Sequence, residues 1–169
     1  MDGIVTRNEP ETEWEEFDRA FYEVKDVTGR PNEPIADAIN MVSCFGDNAA
    51  AGENPDLVPI DSEGHKATRE RAYFDWDYIC PTHDAYREGL LEMISDCAAA
   101  NDTVRLDDVG FPREDYCRCD RCEQRFAASE FDDWVAWRES VITEFVAAAS
   151  ERVPGRMNLT LYPDPYPGH

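Results

Sequence analysis

The chain has 169 residues, with 37 acidic side chains against 16 basic ones and a formal net charge of -21. A surface of that sign repels a phosphate backbone, which excludes nucleic acid as the expected partner. With 42% hydrophobic and 11% aromatic residues the chain can bury a core and is not a disordered polymer. No apolar run reaches signal-peptide length or the ~20 residues of a membrane span, so a cytoplasmic location with no membrane partner is expected. Lys25 and Lys66 are the only lysines, while Ala and Asp are abundant. That bias matches the proteins of extreme halophiles, whose acidic surfaces stay hydrated in concentrated salt, so the charge reports habitat rather than ligand.

Thr12-Glu-Trp-Glu15 has the pattern of a capping box and predicts a helix carrying Trp14, Phe17, Phe21 and Val24 on its apolar face, ended by Gly29. Met41 to Phe45, stopped by Gly46, reads as a buried strand. Residues 47–76 lack periodicity and are rich in Ala, Asn, Pro and Asp, as functional loops often are. Asp75 to Ile79 reads as a short strand, and Asp84 to Ala98 as a helix with Tyr86, Leu90, Met93, Ile94 and Cys97 inward. Thr103 to Val109 is the next strand. Ser129-Glu-Phe-Asp132 is a second capping box, opening a helix with Phe131, Trp134, Val135, Val141, Ile142, Phe145 and Val146 on one face, broken by Pro154-Gly155. Met157 to Tyr162 is a last strand, followed by a proline-rich end.

Strands separated by helices imply right-handed crossovers and a parallel sheet, an α/β architecture of (β/α) TIM-barrel type. Three or four strands are too few for a closed barrel, which typically takes ~250 residues. The expectation is therefore one partial-barrel domain over 1–169, with its exposed sheet edges favouring self-association. In such sheets the working residues sit at the carboxyl ends of strands, where Asp107 and Asp108 fall.

Cys117, Cys119 and Cys122 form a C-x-C-x-x-C cluster. Three thiolates this close crowd their charges unless a soft cation neutralises them, and tetrahedral zinc needs one more ligand. Cys80 is the natural fourth, opening on the same rim, with a zinc-binding loop at about 109–126. His65 and His83 are the alternatives to Cys80. A reducing compartment favours metal over disulfide. Cys44 and Cys97 have strand and helix contexts and read as small core residues.

Asp75-Trp-Asp-Tyr-Ile-Cys80-Pro81, Tyr86-Arg-Glu88, Val104-Arg-Leu-Asp107-Asp108, the cysteine cluster and Trp134-x-x-Trp137-Arg138 together resemble a set of hypothetical TIM-barrel glycoside hydrolases. They resemble the family 42 β-galactosidases more distantly. In that family a Cys-Pro followed by Tyr-Arg-Glu precedes a C-x-C-x-x-C, and the four cysteines bind one zinc. The resemblance implies Cys80, Cys117, Cys119 and Cys122 as ligands of a structural Zn(2+), and a carbohydrate partner.

Alternation along the strand puts Arg105 and Asp107 on one face and Val104, Leu106 and Asp108 on the other. An Arg two before an Asp at this strand end is similar to the fourth strand of α-amylase-like barrels, where the Asp is the nucleophile and the Arg keeps it ionised. The family 42 enzymes carry Asn-Glu here, and Asp107-Asp108 departs from that pair. Asp107 is the candidate catalytic carboxylate, Asp108 its neighbour, and the second carboxyl of a retaining pair is expected from a later strand. Arg105, Trp76 and Tyr162 are candidate substrate contacts, with Tyr78 and Phe111 as further stacking surfaces. Two functions follow: a glycoside hydrolase-like barrel with a structural zinc, or a non-catalytic zinc-stabilised binding or structural module.

Overall fold

Along Ala20-Phe-Tyr-Glu-Val-Lys25 buried and half-buried side chains alternate, the two-residue period of a strand. This segment is β2 (Ala20–Lys25), not the second half of a helix. The computed structural model describes residues 3–6, 9, 11–30 and 32–160. Within them β1 (Ile4–Thr6), β2, β3 (Ile39–Ser43), β4 (Val104–Asp107) and β5 (Met157–Leu159) form one sheet whose order in space is their order in sequence. Every neighbouring pair is parallel. The sheet therefore has five strands where three or four were expected, and the last of them ends at Leu159, so Tyr162 lies outside the described residues.

Among the described residues four α-helices lie between the strands: α1 (Asn48–Glu53), α2 (Asp84–Ala100), α3 (Asp120–Ala127) and α4 (Trp134–Arg152). Ala20, Tyr22, Val24, Val42, Cys44, Val104 and Leu106 pack in one cluster with Leu90, Leu91 and Ile94 of α2 and Phe145 and Ala149 of α4. Each such aliphatic or aromatic burial contributes about 1.5–3 kcal/mol, which fixes the register of the strands against the helices. Asn40 is a polar residue on this face, fully buried. Its amide accepts from Ile35 N at 3.0 Å and donates to Ile35 O and Cys97 O, so it ties the β2–β3 loop and the end of α2 to the sheet. The opposite face carries Phe21, Glu23, Met41, Arg105 and Asp107; Glu23, Met41, Arg105 and Asn158 stand in one row across four strands.

Both expected capping boxes form turns instead. Thr12 Oγ1 donates to Glu9 O at 2.8 Å, and only a 3-10 turn, Trp14–Glu16, follows before the chain extends. Ser129 Oγ donates back to Phe126 O and accepts from Phe131 N, closing the end of α3. The long helix starts at Trp134, capped by Asp133 accepting from Ala136 N at 2.8 Å, and this leaves Phe131 41% exposed rather than in the core. Asp75 to Ile79 is not a strand, since Tyr78 makes only an isolated antiparallel bridge to Gly46. Among the described residues no helix is long and apolar enough to cross a membrane.

Candidate metal centre and carboxyl-end cleft

The cysteines converge. Cys119 is the N-cap of α3 and Cys122 sits in its first turn, a spacing of three that brings both to one side of the helix. Cys80 arrives from the β3–β4 crossover, held by Cys80 N donating to Leu57 O at 2.7 Å and Ile79 N donating to Phe45 O at 2.8 Å. The Sγ atoms of Cys80, Cys117, Cys119 and Cys122 all lie within 4.8 Å of one another, with Cys80 and Cys122 at 3.4 Å. Four sulfurs each ~2.3 Å from one ion would sit roughly 3.8 Å apart, so the donor set could hold a tetrahedral metal ion. Contact with the Cys117 sulfur drives the Cys119 thiol down and that of Cys122 up. Thr82 Oγ1, fully buried, lies 3.1 Å from Cys80 Sγ and 3.3 Å from Cys122 Sγ. Phe111, Tyr116, Trp134 and Trp137 pack around the cluster.

Neither histidine replaces Cys80. His65 holds Asp61 through Nδ1 at 3.1 Å, and His83 is the N-cap of α2. Cys44 and Cys97 are buried in the main core, where burial raises the first and pushes the second up to about 12, so both are inert.

A second feature opens where β2, β3 and β4 end. Glu23, Lys25, Asp26, Val27, Met41, Ser43, Trp76, Asp107 and Asp108 line a cleft of about 240 Å³. A larger hollow of about 440 Å³ between Phe111 and α4 has fewer convergent polar groups: its Arg138 already donates to Glu114 O and Arg113 O. Lys25 is 3% exposed and donates to Ser43 O at 2.6 Å and Gly46 O at 3.1 Å, with Asp47 Oδ2 at 3.2 Å. Burial lowers its pKa, and Asp47 opposes the shift. Asp47 also accepts from Tyr86 Oη at 2.8 Å and caps α1, so one carboxylate ties β2, α1 and α2 together.

Asp108 has a positive φ of 51°, a left-handed conformation that Asp tolerates better than most side chains. Its Oδ2 lies 2.6 Å from Ser43 Oγ, which is also 2.9 Å from Gly46 O. Ser43 has one proton for these two acceptors. Ser43 Oγ donates to the ionised carboxylate; a protonated Asp108 could donate in its place and leave the Ser43 proton for Gly46 O. Burial first, and then the charge of Asp107, push the Asp108 carboxyl up to about 6, against the hydrogen bond from Ser43. Gly46 permits this approach, because a Cβ there would lie 2.9 Å from Asp108 Oδ2 and from two atoms of the Trp76 indole.

The structure thus brings Asp107, Asp108 and Trp76 into one cleft. Arg105 is on the same sheet face, donating from Nε to Thr160 Oγ1 at 2.8 Å with its guanidinium 4.5 Å from the Phe21 ring centre. Phe111 packs against the cysteine cluster instead of the cleft. Glu23, Lys25, Asp26 and Ser43 escaped the sequence reading. Ser43 had a signal, as the last polar residue of a strand already recognised; the other three were hidden by reading β2 as a helix.

No family model and no curated protein matches this chain. Among solved structures, a hypothetical protein from Ruminiclostridium thermocellum ATCC 27405 superposes with a TM-score of 0.64 at 14% identity, over 93% of this chain and 96% of that one. An alpha-L-fucosidase isoenzyme 2 from Paenibacillus thiaminolyticus superposes with a TM-score of 0.68 at 13% identity, over 87% of this chain. At such identities the likeness is one of fold. The chain spans only 27% of the fucosidase, so what is shared with that glycoside hydrolase is a parallel α/β unit.

Proposed function

We propose that this chain is a glycoside hydrolase-like partial barrel whose cleft at the ends of β2–β4 takes a sugar ring, with one structural zinc held by Cys80, Cys117, Cys119 and Cys122. The observation that carries the carbohydrate reading is the placement of Asp107, Asp108 and the Trp76 indole around one cleft of about 240 Å³, in a unit that a fucosidase shares. That volume is below the ~300–1,000 Å³ of drug-sized sites, which suits one ring rather than a long chain. An aromatic wall beside polar acceptors is what a pyranose, apolar on its C–H faces and hydroxylated at its edges, requires. Asp108, held near pH 6, is the group suited to protonate a leaving glycosidic oxygen, and Asp107 the one to face positive charge developing at the anomeric carbon. Strand alternation alone puts Asp107 in the lead; the half-buried position of Asp108 supports dividing the roles between the two.

Zinc fits the four-thiolate set because it accepts a closed tetrahedron of sulfur without redox chemistry. A non-catalytic binding module is the second reading, favoured by the small share of the fucosidase that the unit represents. The test is a panel of monosaccharides and aryl glycosides at high salt, by calorimetry and turnover. Binding that Trp76→Ala abolishes supports the sugar site. Turnover lost in both Asp107→Asn and Asp108→Asn, with metal content intact, supports catalysis. Binding without turnover selects the module, and neither activity across the panel refutes the carbohydrate reading. Fewer than about half an equivalent of zinc per chain, purified without chelator, refutes the zinc assignment.

A further inference from the structure

The cysteine centre and the cleft share a wall. Residues 74–80 run from one to the other. The Trp76 ring centre is 5.9 Å from that of Tyr78, Tyr78 is 5.4 Å from Phe74, and Phe74 is 5.7 Å from Tyr116, which precedes Cys117. Phe74, Cys80, Tyr116, Cys117 and Cys122 belong to one buried cluster, and Tyr78 packs against it. The backbone follows the same path: Tyr78 N donates to Ala67 O, Asp47 N to Asp77 O at 2.9 Å, and Asp77 N to Asn48 Oδ1 at 2.8 Å. The segment is in no strand and makes one isolated bridge, to Gly46. Its position therefore rests on these scattered hydrogen bonds and on packing, whereas the opposite wall of the cleft is fixed in the sheet.

We propose that Tyr78 is a positioning residue that carries the state of the four-cysteine centre to Trp76, so that a metal held there sets the width of the cleft. Three of the four sulfurs stand on the α3 side and the fourth, Cys80, ends the 74–80 segment. A cation shared by all four ties the segment to α3; without that shared ligand the segment keeps its hydrogen bonds and packing but loses its direct link to α3. Tyr78 lies between that tie and the indole, with Phe74 behind it. The proposal rests on the carbohydrate reading only for what the cleft receives, and the movement itself needs no sugar.

The experiment is backbone amide hydrogen exchange by mass spectrometry on the full chain, loaded with zinc(II) and again after EDTA, in the same salt. Metal removal should speed exchange in residues 74–80 and at the Asp47 amide, which donates to Asp77 O, by about tenfold or more, while the central strands, with the Phe45 amide that donates to Asp108 O, keep their protection. In Tyr78→Ala, Trp76 and Asp77 should exchange fast with metal bound and respond little to its removal; Tyr78→Phe, which keeps the ring, should behave as the native chain. A change confined to residues 113–126, or equal loss across the whole sheet, overturns the proposal on the native chain alone. An undiminished response in Tyr78→Ala overturns the role of Tyr78. Failure of every sugar to bind leaves this exchange pattern standing and removes only the carbohydrate reading.

Discussion

Replacing Asp108 with Asn should stabilise the protein at neutral pH and leave it unchanged near pH 4. In the fold the carboxyl sits at about 6, against an ordinary 3.8. A carboxyl raised in this way favours the folded state most when protonated; that contribution is complete below the unfolded value and is lost as pH rises through about 6. At about 1.4 kcal/mol per pH unit, the ionised Asp108 costs the fold about 3 kcal/mol above pH 7, of which Asn should recover a large part. For a chain of this size that corresponds to roughly 6–10 °C in melting temperature. Urea denaturation of both proteins from pH 4 to 8 at fixed high salt gives the difference directly, with Asp75→Asn, on the exposed surface, as the control for removing one of many negative charges. A stability difference that does not grow with pH, or an Asn variant less stable than the native chain at pH 7.5, would refute the assignment of Asp108 as a half-buried, proton-holding carboxyl.

Lys25→Met should destabilise by about 3–5 kcal/mol, because it leaves Asp47 buried without its cation; adding Asp47→Asn should restore part of the loss in a double-mutant cycle. Gly155→Ala should lower the melting temperature, since its Cβ would collide with the Asp102 backbone carbonyl; an unchanged melting curve would show that the α4–β5 turn yields freely. Cys119→Ser should lower metal affinity while retaining the fold at high zinc, read by chelator competition, whereas Cys97→Ser should leave metal affinity unchanged.

The cysteine set was legible because ligand chemistry is local: three sulfurs within six residues need no knowledge of the fold, and the fourth stood beside a recognisable Cys-Pro. The parallel sheet was legible from the apolar core of β3 and from Val104 and Leu106. β2 was not, because Trp14, Phe17, Phe21 and Val24 fit a helical period while Ala20, Tyr22 and Val24 equally fit a strand's, and only burial decides between them. β1 has three residues, too short to carry a period, whereas β5 begins at Met157, where the last strand was expected. The behaviour of Asp108 and Lys25 depends on Ser43, Gly46 and Asp47 arriving from another strand end, a juxtaposition that spacing along the chain does not encode.

The unequal division of the sulfurs along the chain bears on how much a metal can add to stability. Cys117, Cys119 and Cys122 lie within six residues, so the unfolded chain already presents three thiolates to a thiophilic ion, and only Cys80, contributed across the fold at 3.4 Å from Cys122, is gained on folding. An ion that binds both states stabilises by the ratio of its two affinities and not by the tighter one. Saturating metal should therefore raise the melting temperature to a plateau set by the fourth ligand, and nascent chain should capture the ion before the sheet is complete.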